Sequence, residues 1–253
     1  MKIILSPAKN LNEQVLENHS SSFPLFEKEA NQLVKDLKKL KKVGLQELMG
    51  ISLDLAELNA HRFKKWKKAS KNADGAQSAV YTFDGEVYRA LNVHTLTEEQ
   101  QTTLNDRVRI LSGLYGMLKP LDLIYPYRLE MGTKFSCKPD QKNLYEFWGD
   151  KVTKALKKEL AKDEVVINLA SSEYVKVIKP SLLKNKMITP VFKEFKNGAF
   201  SVVMMYAKHA RGAMARYLVE NELSDVEELK LYQVDGYQFD EKQSTDTEWV
   251  FIR

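Results

Sequence analysis

The chain has 253 residues and a mass of 29.1 kDa, with 43% apolar and 29% charged residues, which fits one globular body and excludes a disordered or fibrous chain. It has no run of 18 apolar residues, and the amino end, Met1-Lys2-Ile3-Ile4-Leu5-Ser6-Pro7, is too short in apolar length for a signal peptide, so no membrane span is expected and the cytoplasm is the expected compartment. The net charge is only +5, and Cys137 stands alone, which leaves no disulfide framework and no paired thiols for zinc or redox work.

Residues 3–5 form a short apolar run closed by Ser6-Pro7, the pattern of an early strand. From 23 to 40 the apolar residues recur at helical spacing, and helical character continues from 45 to 58 around an interrupting Gly50-Ile51-Ser52. Residues 79–83 and 108–111 read as strands, with a helix over 97–104 between them. A helix over 151–160 feeds Val165-Val166-Ile167-Asn168-Leu169, whose unbroken apolar run suits a buried strand. Strands are expected over 188–195 and 200–206, joined at Asn197-Gly198, a strong hairpin signal. A helix follows over 209–221, and strands are expected around 231–234 and 249–252. Helices alternating with buried strands predict an α/β (α+β) fold, one domain over 1–253 with a mixed sheet and a basic helical segment at about 26–70.

Charge is distributed unevenly. Residues 35–71 carry eleven cations against four anions, whereas residues 220–248 carry ten acids against Lys230 and Lys242. A basic cluster of this density draws phosphate chains by Coulomb steering and counterion release; a solvated lysine-rich face is the competing reading. Inside it, Leu45 to Ala56 resembles a helix-hairpin-helix: Gly50 and Ile51 match the first two turn positions, Ala56 is the small residue that lets the second helix approach, and Ser52 stands where a second glycine is usual. Unpaired amides at such a turn hold a phosphate without reading bases. Gly50, Ile51 and Ser52, with Lys64, Lys65, Lys67 and Lys68, are therefore the expected DNA contacts.

A second group of residues suggests an anion pocket. Ser6 and Lys9 follow a strand, where α/β sheets collect anionic ligands. Arg128 and Glu130 alternate on one side of an extended segment, and Ser171 or Ser172 caps the helix expected after the 165–169 strand. Lys208 and Arg211 share a face near a helix start, with Arg216 further on; cations there oppose the helix dipole unless an anion is bound. Glu130 is the candidate catalytic acid or base. Histidines 19, 61, 94 and 209 show no metal-ligand spacing, and no cofactor motif occurs, so neither metal nor cofactor is expected.

These motifs, with Leu111-Ser112-Gly113-Leu114-Tyr115-Gly116-Met117-Leu118-Lys119-Pro120-Leu121-Asp122 and Leu144-Tyr145-Glu146-Phe147-Trp148-Gly149-Asp150, resemble the YaaA family of bacterial peroxide stress resistance proteins over nearly the whole chain. The resemblance implies a cytoplasmic protein that protects against hydrogen peroxide, limits free iron, and binds DNA through a basic cleft and a helix-hairpin-helix. It implies no settled reaction. The expected partner is DNA, double-stranded and bound without strong sequence preference, with a monomer favoured. The alternative is an enzyme acting on nucleic acid or a nucleobase through Lys9, Arg128, Glu130, Lys208 and Arg211.

Overall fold

The computed structural model describes residues 1–14, 22–71, 73–135, 137 and 140–253. Its centre is a mixed eight-stranded sheet: β1 (Lys2–Leu5), β2 (Val108–Ser112), β3 (Gly116–Leu118), β4 (Val166–Asn168), β5 (Met187–Lys196), β6 (Ala199–Ser201), β7 (Gln238–Asp240) and β8 (Glu248–Ile252). The order is β7-β8-β5-β4-β1-β2-β3, with β6 paired to β5. The inner five strands run parallel, and β3, β6 and β7 are antiparallel additions. Every residue of β1, β2 and β4 is buried, which is why these strands read as unbroken apolar runs. The exceptions are charged residues with partners: Lys2 reaches the Asp106 carbonyl at 2.7 Å, and Arg109 pairs with Glu159 at 2.6 Å.

The longer helices are α1 (Glu27–Leu37), α2 (Lys41–Met49), α3 (Leu53–Lys65), α4 (Glu86–Leu91), α5 (Glu98–Arg107), α6 (Lys151–Glu159) and α7 (Met204–Glu220). Helices α2 and α3 form an antiparallel pair joined by residues 50–52, with Gly50 in the left-handed region that ends α2. The helix α5 opens with a capping box between Thr97 and Gln100. At the amino edge of the sheet, Asp163, Glu164 and Asp225 line an acidic cleft beside Met1.

Three expectations differ from this structure. Residues 79–83 do not form one strand: Gln77–Ser78 is extended, Ala79–Thr82 is a helical turn and Phe83–Asp84 is extended again. The amides of Ala79 and Val80 are spent on the Asp122 and Pro120 carbonyls, and the Thr82 hydroxyl folds back to the Ser78 carbonyl. Residues 231–234 belong to 3-10 turns at Val226–Leu231 and Val234–Gly236, outside the sheet ladder. The strand expected over 200–206 stops at Ser201, opposite Glu194, and α7 begins at Met204.

Candidate functional site

Strand β1 lies between two parallel neighbours reached by crossovers in opposite directions, so the sheet opens a crevice beyond the carboxyl ends of β1, β2 and β4. Each of these strands delivers a serine there. The Ser6 hydroxyl accepts the Ser171 amide at 2.8 Å and lies 3.3 Å from the Ser171 hydroxyl, tying β1 to β4. Tyr88 on α4 donates to the Ser6 carbonyl at 2.8 Å. Ser112 at the end of β2 bonds the Tyr127 hydroxyl at 2.6 Å. The next residue, Gly113, lets the 129–130 backbone lie directly on the strand end: a Cβ there would stand 2.3 Å from the Leu129 carbonyl oxygen.

That close approach places Glu130. Its Oε1 accepts from Arg128 Nη2 at 3.0 Å and its Oε2 from Lys9 Nζ at 2.8 Å, so cations from distant parts of the chain share one carboxylate. Arg128 is mostly buried, and its Nε has no hydrogen-bond partner among the described residues. Glu173, in the first turn of the short helix Ser172–Val175, accepts the Gly132 amide at 2.8 Å. Together Arg128, Glu130, Gly132, Thr133, Lys134 and Glu173 line a cleft of about 340 Å³, closed on one side by Leu48 and Met49 of α2. Burial raises the hydroxyls of Tyr88, Tyr127 and Tyr174 above the ordinary tyrosine value, and for Tyr174 the neighbouring acids Glu173 and Glu130 add to this. These hydroxyls stay protonated at neutral pH.

The structure therefore brings Lys9, Arg128 and Glu130 into contact and sets Ser6 and Ser171 at the adjoining strand ends. Lys208 is exposed and Arg211 half-buried on one face of α7. Burial lowers the Arg211 guanidinium from its ordinary value, and it has no ion pair among the described residues. Arg216 has partners of its own: it pairs with Glu220 at 2.7 Å and donates to the Leu91 and Asn92 carbonyls and the Thr95 hydroxyl, bracing α7 against the turn after α4.

The basic segment also needs correcting. Lys64, Lys65, Lys67 and Lys68 do not surround the Gly50 turn, because α3 carries them away from it; Lys64 stands eleven residues beyond Leu53, about 16 Å along the helix. The antiparallel pairing instead brings Lys64 beside Lys38, Lys41 and Lys42 at the other end of the hairpin, around a cleft whose sole acidic lining residue is Glu57. The turn itself is partly spent: Gly50 and Ile51 both donate to the Gln46 carbonyl, at 2.9 and 3.3 Å, and the Ser52 hydroxyl accepts the Leu55 amide at 3.4 Å. The amides of Ser52, Leu53 and Asp54 keep no protein acceptor among the described residues.

Glu173, Lys134 and the three buried tyrosines were not identified from the sequence. Glu173 carried a usable signal, an acid in the first turn of a helix opening beside a strand end; the tyrosines carried none apart from their apolar neighbours. His19 lies outside the described residues. Among the described residues no group of three or more His, Cys, Asp or Glu side chains is arranged to hold a metal ion, and no helix is long and apolar enough to cross a membrane.

The sequence has counterparts among known proteins. Residues 1–243 match the family model described as peroxide stress protein YaaA. A UPF0246 protein of Flavobacterium johnsoniae is 46% identical over the whole of both chains. UPF0246 proteins of Shewanella sp. strain MR-4 and Shewanella oneidensis are each 44% identical, over all of this chain and 99% of theirs. With the match running from β1 to β7 and through every residue of the cleft, the chain belongs to the YaaA family of peroxide stress proteins.

Proposed function

We propose that this peroxide stress protein binds DNA without strong sequence preference, through the basic end of the α2–α3 hairpin. One observation carries the reading: lysines from two antiparallel helices gather around one cleft with a single acid among its lining residues. Lysine side chains there meet phosphates as solvated point charges, which gives affinity without base readout. The free amides of Ser52, Leu53 and Asp54 support a further phosphate contact at the turn, although Asp54 opposes it. The charge-reversal variant Lys41→Glu/Lys64→Glu/Lys65→Glu/Lys67→Glu tests the reading by fluorescence anisotropy with a labelled duplex. Affinity is expected to fall at least about a hundredfold with the thermal melt unchanged, because Lys64, Lys65 and Lys67 are exposed. Unchanged affinity overturns it. The family resemblance also implies limitation of intracellular iron; one iron per chain in protein purified without oxygen would assign that role to sequestration by the protein itself.

A second reading is favoured by the Lys9–Glu130–Arg128 contact. A carboxylate held by two cations, beside strand ends that collect anions, suits acid-base work on a phosphorylated or nucleobase substrate. Incubation with oligonucleotides carrying oxidised bases, followed by mass spectrometry, is expected to give a product with the wild type and none with Glu130→Gln. No product with either protein sinks this reading and leaves the DNA grip standing.

A further inference from the structure

Strand β5 does not stop where its neighbour does. Asn168, the last residue of β4, is level with Thr189, and β5 runs on past it, held on its other side by β8 through Lys193 and by Arg253 as far as Phe195, before turning at Asn197-Gly198 into β6, so the arm proper is the hairpin of residues 194–201. Both turn residues have positive φ, 55° and 81°, the geometry of a tight hairpin. The arm so formed carries Phe195 and Phe200 as cross-strand partners, 61% and 38% exposed, with ring centroids 5.2 Å apart. Apolar exposure continues through Val202, Met204 and Met205 into the start of α7. An exposed apolar surface of this extent marks an interaction site.

Charge identifies the occupant. No Asp or Glu occurs from residue 195 to residue 219, while Lys196 and Lys208 are exposed and, like Arg211, lack an acidic partner among the described residues. A partner protein's apolar face would leave these cations unanswered. A nucleotide offers flat apolar rings and anionic phosphates in one molecule. We propose that the arm is a stacking platform for unpaired nucleotides: bases stack against Phe195 and Phe200, and Lys196, Lys208 and Arg211 take the phosphates. This deepens the nucleic-acid reading above and rests on it. Every base has a π-face, so the platform tolerates any sequence; a duplex keeps its bases stacked on one another and presents phosphates alone.

Anisotropy with a fluorescein-labelled oligothymidylate and a blunt duplex of equal length tests this. The double variant Phe195→Ala/Phe200→Ala is expected to weaken oligothymidylate binding by about tenfold to several hundredfold and to leave duplex binding unchanged, while Phe195→Tyr/Phe200→Tyr binds both as the wild type does. Both side chains lie in solvent, so the variants keep the wild-type melt. Equal losses on the two nucleic acids, or no loss on the oligothymidylate, overturn the platform. So does sedimentation showing a wild-type dimer that the alanine variant dissolves, which would assign the arm to a second copy of this chain. If the wild type binds neither nucleic acid, the parent reading falls as well; duplex binding that persists while the alanine variant loses nothing on oligothymidylate sinks the platform alone.

Discussion

At Lys9, Arg128 and Glu130 two cations share one carboxylate, and counted with Lys134 and Glu173 the cleft keeps a net charge of +1. The residue types were legible in the sequence, since Arg128 and Glu130 stand two apart and Lys9 follows a strand. Their meeting was not, because it depends on Gly113 admitting the 129–130 backbone, and a glycine's purpose is invisible until its neighbour is known. Cys137 illustrates the opposite case. Burial, reinforced by the Asp36 carboxylate beside it, pushes its thiol up to about 12. At pH 8 the thiolate fraction falls by roughly three orders of magnitude relative to a free cysteine, so iodoacetamide should alkylate the folded chain about a thousandfold more slowly than the urea-unfolded one. Comparable rates would contradict this environment. The sign of the pH effect follows. The unfolded thiol loses its proton near pH 8.5 and the folded one much later, so the stabilisation is complete below about pH 8.5 and is lost as pH rises toward 12. Cys137→Ser should flatten that alkaline loss in urea melts taken at increasing pH.

Among elements, those with a strong local cause were legible: the fully buried strands, the Asn197-Gly198 hairpin, the capping box that opens α5 and the helices with a single apolar stripe. Residues 79–83 and 231–234 were not, because their backbone groups are claimed by distant carbonyls or by 3-10 turns that apolar content does not reveal. The lysines were assigned to the wrong end of their hairpin for a related reason. Nearness in sequence was read as nearness in space, whereas each helix moves its residues along by 1.5 Å apiece. The contact between the end of β2 and the 129–130 segment gives the sharpest test at this scale. Gly113→Ala puts a methyl group 2.3 Å from a backbone oxygen that no side-chain rotation can relieve. A loss of about 2 kcal/mol or more is expected in chemical denaturation, with substrate or anion binding at the cleft lost before the fold. A variant as stable as the wild type would show that the segment has room to shift.

Taken whole, the molecule separates its charges. At the amino edge of the sheet Asp163, Glu164 and Asp225 outnumber the Met1 ammonium, at the carboxyl edge Lys9, Arg128 and Lys134 outnumber Glu130 and Glu173 by one, and the lysine cluster sits on the hairpin. The basic run over 35–71 and the acidic run over 220–248 made a separation of charge legible in the sequence but not its direction in space, since a net charge of +5 carries no geometry. If about four to six phosphates are neutralised on binding, the logarithm of the duplex association constant should fall with the logarithm of salt at a slope of roughly −4 to −5. A slope near zero would mean that the lysines are bystanders. Opposite signs at the two ends of the sheet also give the protein a sense of direction. In the field of a long polyelectrolyte it experiences a torque before any contact forms, swinging its negative pole outward, so that collisions arrive mostly right way round and lose this bias as electrolyte shortens the reach of the field.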